Sequence, residues 1–154
     1  MGQYGRGGNN GYGQLGQNDT TNRSSPIQIG ALTSWKSILN TSGGGTQFFS
    51  AIQTNGTLWT WGRNNYGTLG KGNTTYYSSP VQVGALSTWA NVFGGNNSCY
   101  AIQTNGTLWA WGQGTNGALG FGNTTSYSSP KQVGSLTSWL SIVASQYSAI
   151  GLHY

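Results

Sequence analysis

The sequence predicts an all-β protein built from about three copies of one short-stranded unit, and three observations carry that prediction. The stretch AIQTNGTLWTWG at Ala51 returns as AIQTNGTLWAWG at Ala101, with Thr60 exchanged for Ala110. Aligned without gaps, 27 of the 39 positions from 51 to 89 equal their counterparts from 101 to 139. Strand alternation and Asn-Gly turn signals recur inside that period, and no apolar residues recur at helical spacing. Composition agrees. Charged residues are 5% against a usual ~25%, yet seven Trp, nine Tyr and four Phe supply a core that a disordered chain lacks.

A third, earlier copy is displaced by 54 positions. Leu15-Gly16 matches Leu69-Gly70 and Leu119-Gly120; Ser24-Ser25-Pro26 matches Ser78-Ser79-Pro80 and Ser128-Ser129-Pro130; Trp35 matches Trp89 and Trp139. The extra residues fall in a longer loop at Ser42-Gly43-Gly44-Gly45. Within the unit, Gln82-Val83 opens a short strand after Pro80, because proline sits comfortably at a strand start or edge. Trp89 to Phe93 is a second strand, closed by Gly94-Gly95, and Cys99 to Gln103 is a third. Asn105-Gly106 predicts a tight hairpin with positive φ at both turn positions. The chain returns as Thr107–Trp111, with Leu108 on one face and Trp109 and Trp111 on the other. Four short strands in a period of about 50 fit one blade of a propeller. The reading is a single domain, 1–154, with repeats at approximately 1–50, 51–100 and 101–154.

The pattern L-x-x-W-G-x-N-x-x-G-x-L-G-x-G, then S-P-x-x-V, W-x-x-V and A-I, resembles the RCC1 repeat family (regulator of chromosome condensation). Leu58, Trp61, Gly62, Asn64, Gly67, Leu69, Gly70 and Gly72 carry it once, and Leu108, Trp111, Gly112, Gly117, Leu119, Gly120 and Gly122 again. The resemblance implies blades of a β-propeller, seven in family members, whose roles run from nucleotide exchange to unrelated bacterial and viral proteins. Here about three blades form an incomplete ring. Residues 1–8 stand in the register of 55–62, with Gly5 and Gly7 in place of Trp59 and Trp61, and no LWxWG strand follows Ala149-Ile150. Uncovered strand edges call for other protein. Two chains closing six blades, a larger assembly and a longer parent polypeptide are all allowed.

The inventory argues against catalysis. One acid, Asp19, cannot form the carboxylate pair of a glycosidase. One His, His153, one Cys, Cys99, and Asp19 do not make a triad or a zinc site. No cofactor or metal is expected. Gly11-Tyr12-Gly13-Gln14-Leu15-Gly16 spells G-x-G-x-x-G but lacks the strand before, helix after and distant acid of a dinucleotide site. Cys99 reads as a small buried residue. The six cations are spread out rather than clustered, so nucleic acid is an unlikely partner despite a net charge of +5. No apolar stretch approaches the ~20 residues of a membrane helix, and residues 1–13 lack the apolar centre of a secretory signal. Asn-x-Ser/Thr triplets such as those at Asn55 and Asn105 read as turn chemistry.

What remains is a set of polar, Tyr-bearing loops on one side of each blade. The candidate binding residues are Asn73, Tyr76 and Tyr77, their third-copy counterparts Asn123 and Tyr127, and Arg23 of the first copy. Tyr, Ser and Asn are residues of adaptable binding surfaces. The expected function is a non-enzymatic structural or interaction module with protein partners, a homo-oligomer or larger assembly, in a virion (phage decoration, fibre or baseplate) or on a cell surface. Two alternatives are a regulatory protein docking a GTPase or chromatin, and a carbohydrate-binding propeller using these loops on a glycan.

Overall fold

The structure, a computed structural model, describes residues 5–29, 34–38, 40–41 and 47–154. The predicted loop at Ser42–Gly45 lies outside them. The strands are β1 (Gly5–Gly8), β2 (Arg23–Gln28), β3 (Trp35–Ile38), β4 (Asn40–Thr41), β5 (Phe48–Gln53), β6 (Leu58–Gly62) and β7 (Tyr77–Gln82). They continue as β8 (Trp89–Gly94), β9 (Ser98–Gln103), β10 (Leu108–Gly112), β11 (Tyr127–Gln132), β12 (Trp139–Ala144) and β13 (Ala149–His153).

Two blades are complete: β3-β5-β6-β7 and β8-β9-β10-β11, each antiparallel, with the short β4 added parallel to β8. Two half-blades flank them. β12–β13 reproduces the first two strands of a blade, and β1–β2 the last two. The degenerate β1 keeps its register despite losing both tryptophans. Gly5 faces Gln28, Arg6 faces Ile27 and Gly8 faces Arg23, as Trp59 faces Gln82, Thr60 faces Val81 and Gly62 faces Tyr77. Backbone pairing, not indole packing, therefore sets this strand's place. β8 lies against β3, β5 and β12, so the first strands of successive blades are neighbours at the inner end.

Two local expectations are corrected. The strand expected to open after Pro80 instead runs from Tyr77 through Pro80 to Gln82. It is the outer edge strand, where a missing N–H leaves no ladder bond unmade. The Asn-Gly turns hold positive φ at glycine alone: Gly56 is at 80° and Gly106 at 78°. Gly56 N–H donates to the Gln53 carbonyl and Gln53 N–H to Thr57, a three-residue loop closed by a left-handed glycine. The Asn55 and Asn105 carboxamide oxygens accept from the N–H groups of Thr57 and Thr107, both at 3.1 Å. These asparagines are turn formers through their side chains.

The core lies between blades. Ile29, Trp35, Phe49, Ala51 and Trp61 join β1–β2 to the first blade. Phe48, Ile52, Leu58, Val83, Trp89, Cys99 and Trp111 join the first to the second, and Tyr100, Ile102, Leu108, Leu119 and Ile142 the second to β12–β13. The single change in the twelve-residue repeat is explained here. Thr60 pairs across the strands with Ser50, and Ala110 with Tyr100. The largest side chain of the four, Tyr100, thus stands opposite the smallest, Ala110, where the other blade has two mid-sized hydroxyl residues. The polar contact is kept too: Thr60 Oγ1 donates to the Leu69 carbonyl at 2.9 Å, and the Tyr100 hydroxyl to Ala118 at 2.8 Å.

Candidate functional site

The loops 9–22, 63–76 and 113–126 connect the last two strands of each blade and share one face of the molecule with the 95–97 turn. Their skeleton is internal. Buried Asn64 donates to the Asn73 and Thr75 carbonyls and accepts from Leu69 N–H at 2.8 Å. Asn10 does the same work in the first copy through Asp19 and Leu15. Gly114 replaces it in the third, where that loop forms a 3-10 turn at Thr115–Gly117 and Gly114 N–H donates to Ser126 Oγ. Glycine is needed at Gly13 and Gly67 because each loop rides on the next blade. A Cβ there would stand 2.4 Å from the Cα of Ser78 or Ser128.

Five of the six predicted binding residues form equivalent clasps across these loops. Asn73 donates to the Tyr77 hydroxyl at 3.2 Å, and Asp19 and Arg23 make an ion pair of 2.6 Å at the same positions. In the third copy the Tyr127 hydroxyl accepts from Lys131 at 3.1 Å, and this bond, with a second from Asn123, holds the phenol below its usual pKa. Asn73 and Asn123 also accept from the N–H groups of Thr75 and Thr125. The Thr21 N–H and Arg23 likewise hold Asp19 below the ordinary carboxylate value.

Tyr76 is different. It belongs to a cluster that sequence reasoning did not assemble: Tyr12, Arg63, Asn65, Tyr76 and Gln47. The Tyr12 and Tyr76 rings meet edge to face at 5.7 Å, and the Arg63 guanidinium stands 5.1 Å over the Tyr12 ring. Arg63 also donates to the Gln47 carboxamide oxygen. Asn65, its amide oriented by the network, accepts from Arg63 Nη2 and Nε at 2.7 and 3.1 Å and donates to the Tyr76 hydroxyl. Beside them a cavity of about 250 Å³ opens between the two complete blades, lined by Gln47, Arg63, Asn65, Thr68, Asn96 and Asn97 over Phe48. A larger space of about 360 Å³ near Trp89, Trp109 and Pro130 holds Lys71 as its cation, whose amine is bonded to the Gln82 carbonyl.

A signal for the cluster was present in the repeat. The two near-identical copies differ at twelve of the 39 aligned positions, and six of these are 63, 64, 65, 66, 68 and 76, all in this loop. Three of the other six differences change together with a contacting residue, and the remaining three, at 85, 87 and 88, exchange small residues. Thr60 and Ala110 are balanced by their partners, while Lys71 and Val81 become Phe121 and Lys131, whose amine lies 4.9 Å over the Phe121 ring.

The regulator of chromosome condensation (RCC1) repeat model matches residues 55–102 and 105–152. The chain belongs to the RCC1 repeat family. The ultraviolet-B receptor UVR8 of Arabidopsis thaliana is 38% identical to this RCC1-repeat chain over 72 residues, which is 47% of this chain and 16% of the receptor. The human E3 ubiquitin-protein ligase HERC2 is 31% identical over 75 residues, 49% of this chain and 2% of the ligase. Among solved structures, Prp20p of Saccharomyces cerevisiae superposes with a TM-score of 0.81 at 17% identity, covering 99% of this chain and 40% of Prp20p. Human WBSCR16 gives 0.82 at 18% identity, with 99% and 40% covered. The RCC1-repeat chain thus spans less than half the length of each, and the structural likeness establishes its blades as those of an RCC1-like propeller, here an incomplete set.

Proposed function

We propose that this chain is a non-enzymatic structural or interaction module whose open blade face is completed by other protein, in a virion (phage decoration, fibre or baseplate) or at a cell surface. One observation carries the reading. On β12–β13 the side chains of Val143, Ile150 and Leu152 are 68%, 75% and 59% exposed. Their equivalents Phe93, Tyr100 and Ile102 lie under the following blade. Covering Ile150 and Leu152 would contribute roughly 1.5–3 kcal/mol each, and a contiguous exposed apolar face of this kind marks an interaction site.

The occupant proposed is a second copy. Carried forward by one repeat, the β9–β10 register places β1 of a second copy beside β13, with Gly5 opposite Gly151, Arg6 opposite Ile150 and Gly7 opposite Ala149. The inner half-blade of one chain and the outer half-blade of the other then make a whole blade. Two such junctions close a two-fold ring of six. Prp20p is described by its binding to Gsp1p and histones. That role is not carried over, because the one carboxylate on this loop face, Asp19, is already paired with Arg23.

Cysteine pairing tests the register. Arg6→Cys chains mixed with Ile150→Cys chains should form an interchain disulfide on mild oxidation, while Arg6→Cys with Val143→Cys should not. The native Cys99 is buried and does not interfere. Failure of the first pair, or equal cross-linking of both, would contradict this arrangement.

A further inference from the structure

The cavity between the two complete blades presents a guanidinium on side-chain amides, where the space near Trp89 presents the Lys71 amine on a backbone carbonyl. Arg63 is half-buried in its wall, and its partners among the described residues are neutral: the Gln47 and Asn65 carboxamides and the Tyr12 ring. A guanidinium is always charged, and desolvating it without an anion is unfavourable. The chain has one acidic side chain, Asp19, and that is held by Arg23. At the equivalent site one blade further on, the same positions hold a neutral pair, Asn97 donating to Gln113 at 2.9 Å. The charge is thus not required by the blade's construction. The Asn65 oxygen takes Nε–H and one Nη2 hydrogen and the Gln47 oxygen one Nη1 hydrogen, which holds the guanidinium plane and leaves one N–H on each Nη for a carboxylate.

We infer that this cavity receives a carboxylate side chain, Asp or Glu, of a protein partner, with Arg63 as its anchor and the Asn96–Asn97 turn as the opposite wall. A protein side chain is favoured over an acidic sugar because the Tyr12 ring is already met by Arg63 and by the Tyr76 ring. Among the described residues that line the cavity the one ring, Phe48, is buried, so its wall offers no exposed aromatic face to a pyranose. This rests on the reading of the chain as an interaction module and assigns the chemistry of a second contact, distinct from the open blade face.

The test is NMR titration of the whole chain with a capped glutamate, N-acetyl-glutamate N-methylamide, against its glutamine analogue and glucuronate. The glutamate should shift the Arg63 Nε–H and Asn65 amide resonances saturably, at least tenfold more tightly than the glutamine analogue, a difference of about 1.4 kcal/mol. Arg63→Gln should abolish the response. That variant is expected to fold, because Gln113 already occupies the equivalent position. An absent response, equal binding of the glutamine analogue, or an unchanged response in Arg63→Gln would each overturn the inference. Tighter binding of glucuronate would overturn the assignment to a protein side chain. Native mass should be the same for Arg63→Gln and wild type, so a failed titration beside an intact assembly sinks this inference alone.

Discussion

β9 and β13 are the same strand of the repeat in two settings. Every residue of β9 is buried, whereas every residue of β13 is exposed or half-buried. Both carry apolar side chains at the same alternate positions, Tyr100 and Ile102 in one, Ile150 and Leu152 in the other. The strand's sequence is thus written for two covered faces, and its burial depends on what packs against it. A blade of this kind is not a self-sufficient unit; its stability lies at its junctions, as in other repeat architectures.

The largest expected effect comes from truncating both strands at the same position. Ile102→Ala should destabilise the chain by about 2–5 kcal/mol in urea unfolding, since it opens a cavity in a closed junction. Leu152→Ala, made in the single-chain Ile150→Asp background so that no second copy covers the strand, should change stability by less than about 0.5 kcal/mol. Equal losses at the two sites would break the comparison. Next is the compensated pair. Tyr100→Ser and Ala110→Thr should each cost about 1–4 kcal/mol through under- and over-packing. The double variant, which rebuilds the Ser50–Thr60 arrangement, should cost less than the sum of the two.

A difference seen only at alkaline pH follows from Cys99 in β9, where β13 has Ala149. Complete burial pushes the Cys99 thiol up to about 12 from its usual value of 9.0. Above pH 9 the unfolded chain loses this proton while the folded chain keeps it. The contribution is therefore fully present below 9 and is lost toward 12, with a slope near ~1.4 kcal/mol per pH unit. Chemical unfolding of wild type and Cys99→Ala across that range should show the slope in the first and its reduction in the second. The smallest effect belongs to Asp19. Its lowered pKa stabilises the fold above the usual carboxylate range, and that contribution is lost as pH falls through the folded value. Asp19→Asn should flatten this acid limb slightly.

The repeat made the blades legible, because alternation, turn signals and the family pattern all point to the same strands. Finer points were not. The course of β7 through Pro80 depends on its being an edge, and an edge is a property of the assembled sheet. The turn geometry at Asn55-Gly56 depends on a side-chain bond that no residue pair declares. For the site, Asn73, Tyr77, Asn123, Tyr127 and Arg23 were visible as polar loop residues, but not as partners across the loop. The Arg63 cluster draws Tyr12 and Tyr76 from loops 64 positions apart in the sequence. Proximity between blades has no linear signature; uncompensated differences between two copies were the available trace.

The most direct test is the native mass of the purified 16.2 kDa chain by light scattering, beside Ile150→Asp. If the open face of β12–β13 is covered by a second copy, the wild type should be a discrete two-chain species and Ile150→Asp a folded single chain. A wild type that stays a folded monomer at concentrations well above micromolar would contradict the account.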